Sequence, residues 1–317
     1  MFLHNSNMKG FHFFLGTILF LQIHLSPASS GIDGDFYLRE VAEGIYVHQG
    51  QHVTFEDPRH DDIANIGFII GKKCVAVIDT GGSVNIGNKL KQAVHGMTQL
   101  PICYVINTHI HFDHLLGNIA FVNEGAKFVG HHELASEIEE NRKFFLEQFG
   151  PDLGPGASEK SIIGPDITVD DVMELDLGDR KLILTAYGPA HSYSDLSVYD
   201  PGTQTLWLAD LLFMERIPAL DGSLKGWLAL LEKLVSLPAK RVIPGHGPVS
   251  AAWPQAADNE THYLKTLLQQ TRSLIAKGLF MEDVIEQVGK EEKKHWLLYE
   301  QHHKRNVSKA FTELEWE

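Results

Sequence analysis

The most informative segment of this 317-residue chain is Asn107-Thr108-His109-Ile110-His111-Phe112-Asp113-His114. Its pattern, His-x-His-x-Asp-His, directly follows a run of residues typical of a strand. In an extended segment, residues two apart point the same way, so His109 and His111 can hold one metal between two imidazoles. If the chain then turns, Asp113 and His114 face a second metal beside the first. Imidazole and carboxylate ligands together favour zinc, with iron or manganese as competing metals.

Three further candidate ligands follow other predicted strands. His191 comes after the predicted strand 182–185, Asp210 ends the apolar run 206–209, and His246 lies just beyond the predicted strand 241–243. Loops at strand ends bring side chains from distant segments together. Each residue alone is more typical of a turn or a cap. In this order after His-x-His-x-Asp-His, the three predict the remaining ligands of the metal site.

The composition excludes several classes of function. The chain has 27 Lys and Arg residues against 41 Asp and Glu residues, and its formal net charge is −14. Binding to nucleic acid or to anionic lipid needs a basic surface, so we expect neither partner. The hydrophobic fraction of 44% and the charged fraction of 21% are ordinary values for a globular protein. The 18 histidines are unusual, and histidine is the commonest metal ligand.

Residues 1–30 have the character of a cleavable secretory signal peptide. Lys9 is the only formal charge before Asp33, and the apolar stretch 11–23 is too short for a membrane span. Small residues then follow at 26–31, where a signal peptidase would cut. We therefore predict a periplasmic or secreted protein without stable membrane insertion after cleavage. An uncleaved membrane anchor is the alternative.

The two cysteines, Cys74 and Cys103, each begin a strand-like run. Export implies an oxidising compartment, and parallel neighbouring strands would bring the two sulfurs close enough for a disulfide. Bridging adjacent strands demands a special geometry, so two buried thiols are the interpretation that we favour. Without a Cys-x-x-Cys motif, neither a cysteine metal site nor thioredoxin-type chemistry is expected.

The remaining chain divides into two parts. Residues 36–250 alternate between strand-like and helix-like runs, among them a predicted helix at 85–95 and another at 224–237, which indicates a layered α/β domain. Within it, residues 150–164 are rich in Gly and Pro and predict a functional loop. Residues 255–317 are predicted to be a helical extension. Its apolar stripe indicates packing on the main domain or on a second copy, and the oligomeric state is left open.

The motif set resembles the five-motif signature of the metallo-β-lactamase-fold superfamily over about residues 40–250. The resemblance implies an αββα sandwich of two mixed sheets with a two-zinc site along one edge. It assigns one metal to His109, His111 and His191, and the other to Asp113, His114 and His246. It makes Asp210 the bridging ligand and Asp79 a supporting residue that orders the loop.

Four segments resemble an exported branch of that superfamily, the quinoprotein relay system zinc metallohydrolases: 62–68, 74–82, 102–109 and 219–227. This resemblance implies an association with pyrroloquinoline-quinone-dependent dehydrogenase systems. Phe112 occupies a variable position of the motif that is often proline in relatives, and it is expected to affect the wall of the pocket rather than the ligands.

The chemistry expected of this site is metal-assisted hydrolysis of a small-molecule substrate. A water that bridges two Zn²⁺ ions ionises near neutral pH and supplies a nucleophile, so no Ser or Cys nucleophile is needed. Asp113 is the catalytic candidate, because it could orient the nucleophile or return a proton to the leaving group. The substrate is expected to be an ester, thioester, lactone or lactam, and nothing selects a β-lactam among them. The alternatives are a single-iron oxygenase that oxidises a sulfur substrate and a non-catalytic metal-binding partner of a quinoprotein.

The candidates for substrate contact are Tyr193, Arg216 and Lys225. Arg216 and Lys225 could hold an anionic group, although solvated surface charges are the interpretation that we favour for both. Tyr193 and Asp195 are expected either to line the pocket or to tie down the loop of His191. A structural or surface role is favoured for His131 and His132, which follow another predicted strand.

Overall fold

A computed structural model describes residues 1–2, 31–33 and 36–317 of the chain. Apart from its first two residues, the signal peptide expected at 1–30 lies outside the described residues. Within the described part, none of the helices combines the length and the apolar character that crossing a membrane would need.

Two mixed sheets form the centre of the molecule. The first sheet has its strands in chain order: β1 (Gly31–Asp33), β2 (Phe36–Ala42), β3 (Ile45–His48), β4 (Ile66–Ile70), β5 (Val75–Ile78), β6 (Ile102–Ile106), β7 (Lys127–His131) and β8 (Ile167–Val169). It is antiparallel from β1 to β5 and parallel from β5 to β8.

The second sheet contains β9 (Val172–Asp176), β10 (Lys181–Ala186), β11 (Leu196–Asp200), β12 (Thr205–Phe213), β13 (Arg241–His246) and β14 (Ala251–Ala252). Its order is β14-β13-β12-β11-β10-β9, and only the β12–β13 pair is parallel.

Helices cover the outer faces of both sheets. They are α1 (Val84–Met97), α2 (Phe112–Leu115), α3 (Leu134–Phe149), α4 (Leu224–Leu234), α5 (Asp258–Ala276), α6 (Met281–Ile285) and α7 (Tyr299–Leu314). The first helix begins after Ser83, whose Oγ accepts a hydrogen bond from the N–H of Ile86 at 3.1 Å. Ser223 caps α4 in the same way through the N–H of Gly226 at 3.0 Å. Serine at these positions satisfies an N–H that the first turn would otherwise leave unpaired.

The alternation of side chains along the strands builds three apolar layers. In β5, Ala76 and Ile78 face the second sheet, while Val75 and Val77 face α1 on the outside. Trp207 of β12 lies in the layer between the sheets, and Leu206 and Leu208 pack outward against α4, α5 and α7. The predicted αββα sandwich with a C-terminal helical part is confirmed.

The C-terminal helices share the core on the outside of the second sheet. Tyr263 of α5 and Val307 of α7 are fully buried beside Trp227 of α4. Asn306 of α7 accepts a hydrogen bond from the N–H of Leu220 at 3.0 Å. The helical part is therefore bonded directly to the loop that joins β12 to α4.

The structure joins Cys74 and Cys103 in a disulfide, with the two Cα atoms 5.7 Å apart. The favoured expectation of two buried thiols is wrong, and the reason is a local irregularity. The parallel pairing of β5 with β6 shifts by one residue between Val75, which pairs with Ile102, and Ala76, which pairs with Tyr104. Cys103 lies in that irregularity, next to the start of β5.

Candidate metal centre

The site lies where several strands end at one edge of the sandwich. Asp79 follows β5, His109 follows β6, and His246 is the last residue of β13. The chain turns immediately after the His-x-His pair, because the short helix α2 begins at Phe112 and carries Asp113 and His114 on its only turn. The turn predicted after the His-x-His pair, which brings Asp113 and His114 toward a second metal, is therefore present.

Two residues at the site have left-handed backbone conformations that side chains rarely adopt. Asp79 has a φ of 54° and Ala209 has a φ of 47°. The second irregularity interrupts the regular pairing of β12 with β13 and directs Asp210 toward the other ligands. Strain of this kind persists where the surroundings fix it, and it gathers at functional sites.

Seven predicted ligands converge in two groups. The first group is His109, His111, His191 and Asp210, and the second is Asp113, His114 and His246. Within each group the ligand atoms all lie within 4.8 Å of one another. Six of the seven side chains are buried, and His111 is half-buried at the surface of the cluster.

Three imidazole nitrogens of the first group face one point. His111 Nδ1 lies 3.1 Å from His109 Nε2 and 2.8 Å from His191 Nε2. Asp210 Oδ2 lies 3.8 Å from His109 Nε2 and 3.4 Å from His191 Nε2. This is the set that the resemblance assigned to one metal, with Asp210 beside it.

The second group gathers around Asp113. Its Oδ2 lies 3.6 Å from His114 Nε2 and 3.4 Å from His246 Nε2. Asp210 reaches this group too, since its Oδ1 is 3.1 Å from His114 Nε2 and its Oδ2 is 3.2 Å from His246 Nε2. Asp210 therefore touches both groups, as a bridging ligand must.

The far nitrogen of every imidazole faces an oxygen that can accept its proton. The contacts are His109 Nδ1 to Thr108 Oγ1 (3.0 Å), His111 Nε2 to Asp221 Oδ2 (2.9 Å), His114 Nδ1 to Asp79 Oδ2 (2.8 Å), His191 Nδ1 to the Ala219 carbonyl (2.7 Å) and His246 Nδ1 to the Ile63 carbonyl (2.7 Å). A neutral imidazole carries a single N–H, so each of these contacts leaves a lone pair directed into the cluster.

Asp79 is a supporting residue in this arrangement. It is fully buried, and it accepts hydrogen bonds from the N–H and the hydroxyl of Thr108, both at 2.8 Å, as well as from His114. Because the Thr108 hydroxyl donates to Asp79, its oxygen is free to accept the proton of His109. One carboxylate thus orients two imidazoles of different groups.

The donor set fits a bound cation. His114 Nε2 and Asp210 Oδ1 are buried and 3.1 Å apart, yet neither forms a hydrogen bond within the described part of the chain. Buried polar atoms without partners are costly, and a cation between this nitrogen and this oxygen would satisfy both. Nitrogen and carboxylate oxygen donors are the ones that zinc takes in catalytic sites.

The imidazoles differ in their affinity for protons. Burial lowers the pKa of His191 to about 4 and holds the pKa of His109 well below its usual value, so both remain neutral ligands. His114 behaves in the opposite way. Burial lowers its pKa, but three carboxylates outweigh burial and raise it well above the usual value: Asp210, Asp113 and Asp79. These carboxylates favour a positive charge at the centre of the cluster.

Asp210 stays ionised although it is buried. Burial opposes the charged form, but the imidazoles of His246 and His114 outweigh it and hold the pKa of Asp210 well below its usual value. The side chain that lies between the two groups is therefore a carboxylate rather than a neutral acid.

A cavity of about 450 Å³ opens onto the cluster, and His111, Asp113, Asp210 and His246 form part of its lining. One wall is aromatic and consists of Phe55, Phe112, Phe144, Phe145 and Phe149. Phe112 and Phe149 stack with their ring centroids 4.2 Å apart. The structure thus places Phe112 in the pocket wall, where the motif comparison had expected it.

A second, polar part of the lining was missed by sequence reasoning except for Arg216, which it had named as a candidate for substrate contact. It consists of side chains from the C-terminal helix α7, together with residues that follow β12: His302, Arg305, Lys309, Arg216 and Asp221. The positions 302, 305 and 309 are spaced to lie on one face of a helix, which is a signal that the sequence does contain. Nothing in the sequence indicated that this face would turn toward the metal ligands.

Of the three candidates for substrate contact, one lies in the cavity and two lie outside it. Arg216 lines the cavity and is 5% exposed, so the expectation of a solvated surface charge is wrong for it. Lys225 is exposed outside the cavity, where its Nζ lies 2.8 Å from Glu317 Oε1. Tyr193 is 51% exposed and lines a separate groove with His131 and His132.

Asp195 closes the turn that follows His191. Asp195 accepts hydrogen bonds from the N–H of Ser192 at 2.9 Å and from its hydroxyl at 2.6 Å. Burial raises the pKa of Asp195 to about 6 in spite of these donors. Of its two expected roles, Asp195 takes the one that ties down the loop.

The Gly- and Pro-rich segment 150–164 contributes no residue to the lining of the cavity. Its Leu153 and Ile162 are buried in the same apolar cluster as Phe112 and Phe149. Arg142 of α3 holds the segment through hydrogen bonds to the carbonyls of Glu159 and Ile162. The segment therefore supports the aromatic wall from behind.

Comparisons with known proteins agree on the family and the fold of this chain. The family model described as the metallo-beta-lactamase superfamily matches residues 59–246. A linear primary-alkylsulfatase of a Pseudomonas strain is 23% identical over 262 residues, which cover 67% of this chain and 47% of that protein. The chain therefore spans about half the length of this curated relative.

Two solved structures share the fold. A metallo-beta-lactamase from Pontibacter korlensis superposes with a TM-score of 0.59 and 21% identity, covering 73% of this chain and 99% of its own. The stereoselective inverting sec-alkylsulfatase of Pseudomonas sp. superposes with a TM-score of 0.65 and 18% identity, covering 87% of this chain and 49% of its own. At these identities the likeness concerns the fold alone.

Proposed function

The chain belongs to the metallo-beta-lactamase superfamily, and from this membership we propose that it is a dinuclear zinc-dependent hydrolase. His109, His111 and His191 would hold one metal ion, and Asp113, His114 and His246 would hold the other. Asp210 would contact both. A metal pair of this kind, when bound, makes hydroxide available near neutral pH and polarises the bond that is to be cleaved.

One observation carries the proposal. All five imidazoles face an oxygen acceptor on the side away from the cluster, so that all five lone pairs point inward toward two carboxylates. An unliganded cluster has no need for such uniform orientation, whereas metal ligands require it. The seven side chains would then supply the ligands for two ions.

Asp113 is proposed as the catalytic carboxylate. It belongs to the second group and also lines the cavity, so it can hold or transfer a proton beside a bound substrate. Arg216 lines the same cavity and could neutralise an anionic group of the substrate. The phenylalanine rings give the cavity an apolar surface that an apolar part of the substrate could contact.

The proposed substrate contains a carbonyl-type bond in an ester, thioester, lactone or lactam. An alkyl sulfate is added to the candidates because one relative is named a linear primary-alkylsulfatase. The fold does not choose between these bonds, because functions in such families depend on the site rather than the fold.

The experiment combines metal analysis with a panel of these five substrate classes. We expect about two zinc ions per chain after loading with zinc, turnover of at least one substrate, and loss of both metal and activity in His111→Ala. His132→Ala removes a partly exposed histidine outside the cluster and should change neither. Full zinc content together with full turnover in His111→Ala would overturn the proposal.

Two other activities from the sequence interpretation remain distinguishable. A single-iron oxygenase would use the same set of ligands to hold one ion, so the identity and number of the bound ions distinguish it from the dinuclear hydrolase. Iron rather than zinc in protein purified without added metal would favour the oxygenase. A zinc-loaded protein that hydrolyses nothing but forms a tight complex with a quinoprotein dehydrogenase would favour the non-catalytic partner.

We also propose that the protein is exported through residues 1–30 and functions in the periplasm or outside the cell. The disulfide between Cys74 and Cys103 supports this location, because such bonds persist in oxidising compartments. Sequencing the amino terminus of the mature protein from a periplasmic fraction tests the cleavage. The quinoprotein link depends on the resemblance of four sequence segments alone.

A further inference from the structure

The walls of the cavity beside the metal ligands differ in chemistry. Its lining contains a group of phenylalanine rings and a group of cationic side chains, which are Arg216, Arg305 and Lys309. The metal ligands His111 and Asp113 lie in the same cavity. A ligand that fills this space must present an apolar surface to one wall and a group compatible with positive charge to the other.

The aromatic wall is continuous from the interior to the rim. Phe112 and Phe149 are each 8% exposed and stack on each other, while Phe55 and Phe144 are each 52% exposed. The ring of Phe55 lies 5.4 Å from Phe112, and the ring of Phe144 lies 6.1 Å from Phe149. Half-exposed aromatic rings at the mouth of a pocket are typical of a ligand-binding groove.

Arg216 has no direct ion pair among the described residues, although carboxylates share the cavity with it. Arg216 is almost completely buried, and no carboxylate of the described residues forms an ion pair with it. Its closest polar partners are imidazole nitrogens of His246 and His302, both at 3.4 Å, and its Nε has no hydrogen bond. The charges of Asp113 and Asp210 act on Arg216 through space, but a buried cation without a directly paired counter-charge is still costly. An anion in the cavity would supply what the chain does not.

The C-terminal helix adds two cations at the mouth. Lys309 is half-buried and makes no ion pair among the described residues. Arg305 contacts Asp221, which shares its charge with His111. Of the acids that line the cavity, Asp113, Asp210 and Asp221 face histidines or Arg305. Burial raises the pKa of the fourth acid, Glu137, and so reduces the negative charge that it contributes. Lys309 and Arg216 therefore remain the unpaired cations of the lining.

We infer that this cavity binds an anionic amphiphile, with the apolar body of the ligand against the phenylalanine wall and its acid group between Arg216 and Lys309. The inference deepens the proposed function, because it names the class of the substrate that the metal site would act on. It also gives helix α7 a role in recognition: the C-terminal part of the chain completes the binding site.

The test measures binding and not turnover. The ligands are 3-phenylpropane-1-sulfonate, the uncharged 3-phenylpropan-1-ol and the ringless propane-1-sulfonate. A sulfonate serves as the anionic group because it is a weak metal ligand, so that binding reports on the cavity rather than on the metal. Isothermal titration calorimetry on the full chain, both zinc-loaded and metal-stripped, should give the phenyl sulfonate about a tenfold or greater advantage over each of the other ligands. Equal affinity for all three ligands, or no binding by any of them, would contradict the inference.

Two pairs of variants locate the ligand. Lys309→Gln should weaken binding of the phenyl sulfonate about three- to tenfold and leave the alcohol unchanged, since it removes one charge. Lys304→Gln is its control, because Lys304 lies on the same helix and pairs with Glu286. Phe144→Ala should weaken both phenyl ligands and leave propane-1-sulfonate unchanged, while Phe280→Ala, outside the cavity and 76% exposed, should affect none.

The outcomes separate this inference from the proposed function. Equal losses for sulfonate and alcohol in Lys309→Gln, or equal effects of Lys309→Gln and Lys304→Gln, would place the anion elsewhere and overturn the inference. Circular dichroism verifies that each variant is folded. A protein that binds the probes as expected but neither retains zinc nor hydrolyses any substrate would contradict the proposed function alone.

Discussion

His111 Nε2 donates a hydrogen bond to Asp221 Oδ2 at a distance of 2.9 Å. Asp221 also forms an ion pair with Arg305 of α7, so the C-terminal helix is connected through one carboxylate to a candidate metal ligand. Burial opposes the charge on Asp221, but His111 and Arg305 outweigh it and hold the pKa of this carboxyl below its usual value. The ionised carboxylate fixes the tautomer of His111 that directs Nδ1 into the cluster.

The first prediction concerns this hydrogen bond. Asp221→Asn should weaken zinc binding about 10- to 100-fold, because an amide fixes the imidazole less firmly than a carboxylate does. Competition with a chromogenic chelator measures the affinity. Asp179→Asn is the matched control, since Asp179 is 76% exposed and pairs only with Lys72. Unchanged affinity in Asp221→Asn would show that Asp221 does not position the ligand.

A second prediction concerns the disulfide between the starts of β5 and β6. The bond joins residues 29 positions apart, so its loss should lower the free energy of unfolding by about 3–4 kcal/mol through the entropy of the unfolded chain. Urea denaturation of metal-stripped Cys74→Ala/Cys103→Ala measures this change. Reductant should destabilise the wild type to a similar extent and leave the double variant unaffected. If the double variant were as stable as the wild type, the disulfide would not stabilise the fold.

The third prediction is a pH dependence that arises from Glu260 of α5. This carboxyl is fully buried, accepts a hydrogen bond from the N–H of Phe213 at 2.8 Å, and faces the charge of Asp210. Burial raises its pKa well above the ordinary value of 4.5. Glu260 therefore retains a proton in the folded protein that it releases in the unfolded chain, and its contribution to stability falls as the pH rises above about 4.5.

Glu260→Gln should remove this loss, because the amide is neutral and still offers an oxygen to Phe213. We expect the variant to be more stable than the wild type by about 1–2 kcal/mol at pH 8, and the difference to shrink as the pH falls toward 4.5. Urea denaturation across this range measures it. A difference that stays constant with pH would contradict a titrating Glu260.

Much of the site could be predicted because its ligands belong to short motifs at strand ends. His109 to His114 are neighbours in sequence, and a strand followed by one helical turn is enough to place them. His191, Asp210 and His246 could be added because each follows a run of apolar residues that the sandwich buries. Local patterns and the order of strands therefore determine the cluster.

The cavity wall could not be predicted, because it depends on how distant segments pack. Arg216 follows β12 as an isolated cation, and its burial results from α7 lying across it some 90 residues later in the chain. The one-residue shift that places Cys103 beside Cys74 likewise arises from the pairing of two strands, and the sequence of neither strand reveals it. Contacts of this kind are set by tertiary packing rather than by a local pattern.

The last prediction tests whether Asp210 can lie between the two groups of ligands only because residue 245 is a glycine. A Cβ atom at Gly245 would collide with the carboxylate of Asp210 and with the backbone of Ala209. Gly245→Ala should therefore displace Asp210 from both groups of ligands, so that zinc content and any activity fall together while the secondary structure persists. Gly188→Ala is a matched control in the loop of His191, because a Cβ there meets no atom within 4 Å. Elemental analysis of both variants after loading with zinc decides the matter: two ions retained in Gly245→Ala would mean that Asp210 does not need this close approach to bridge the metals.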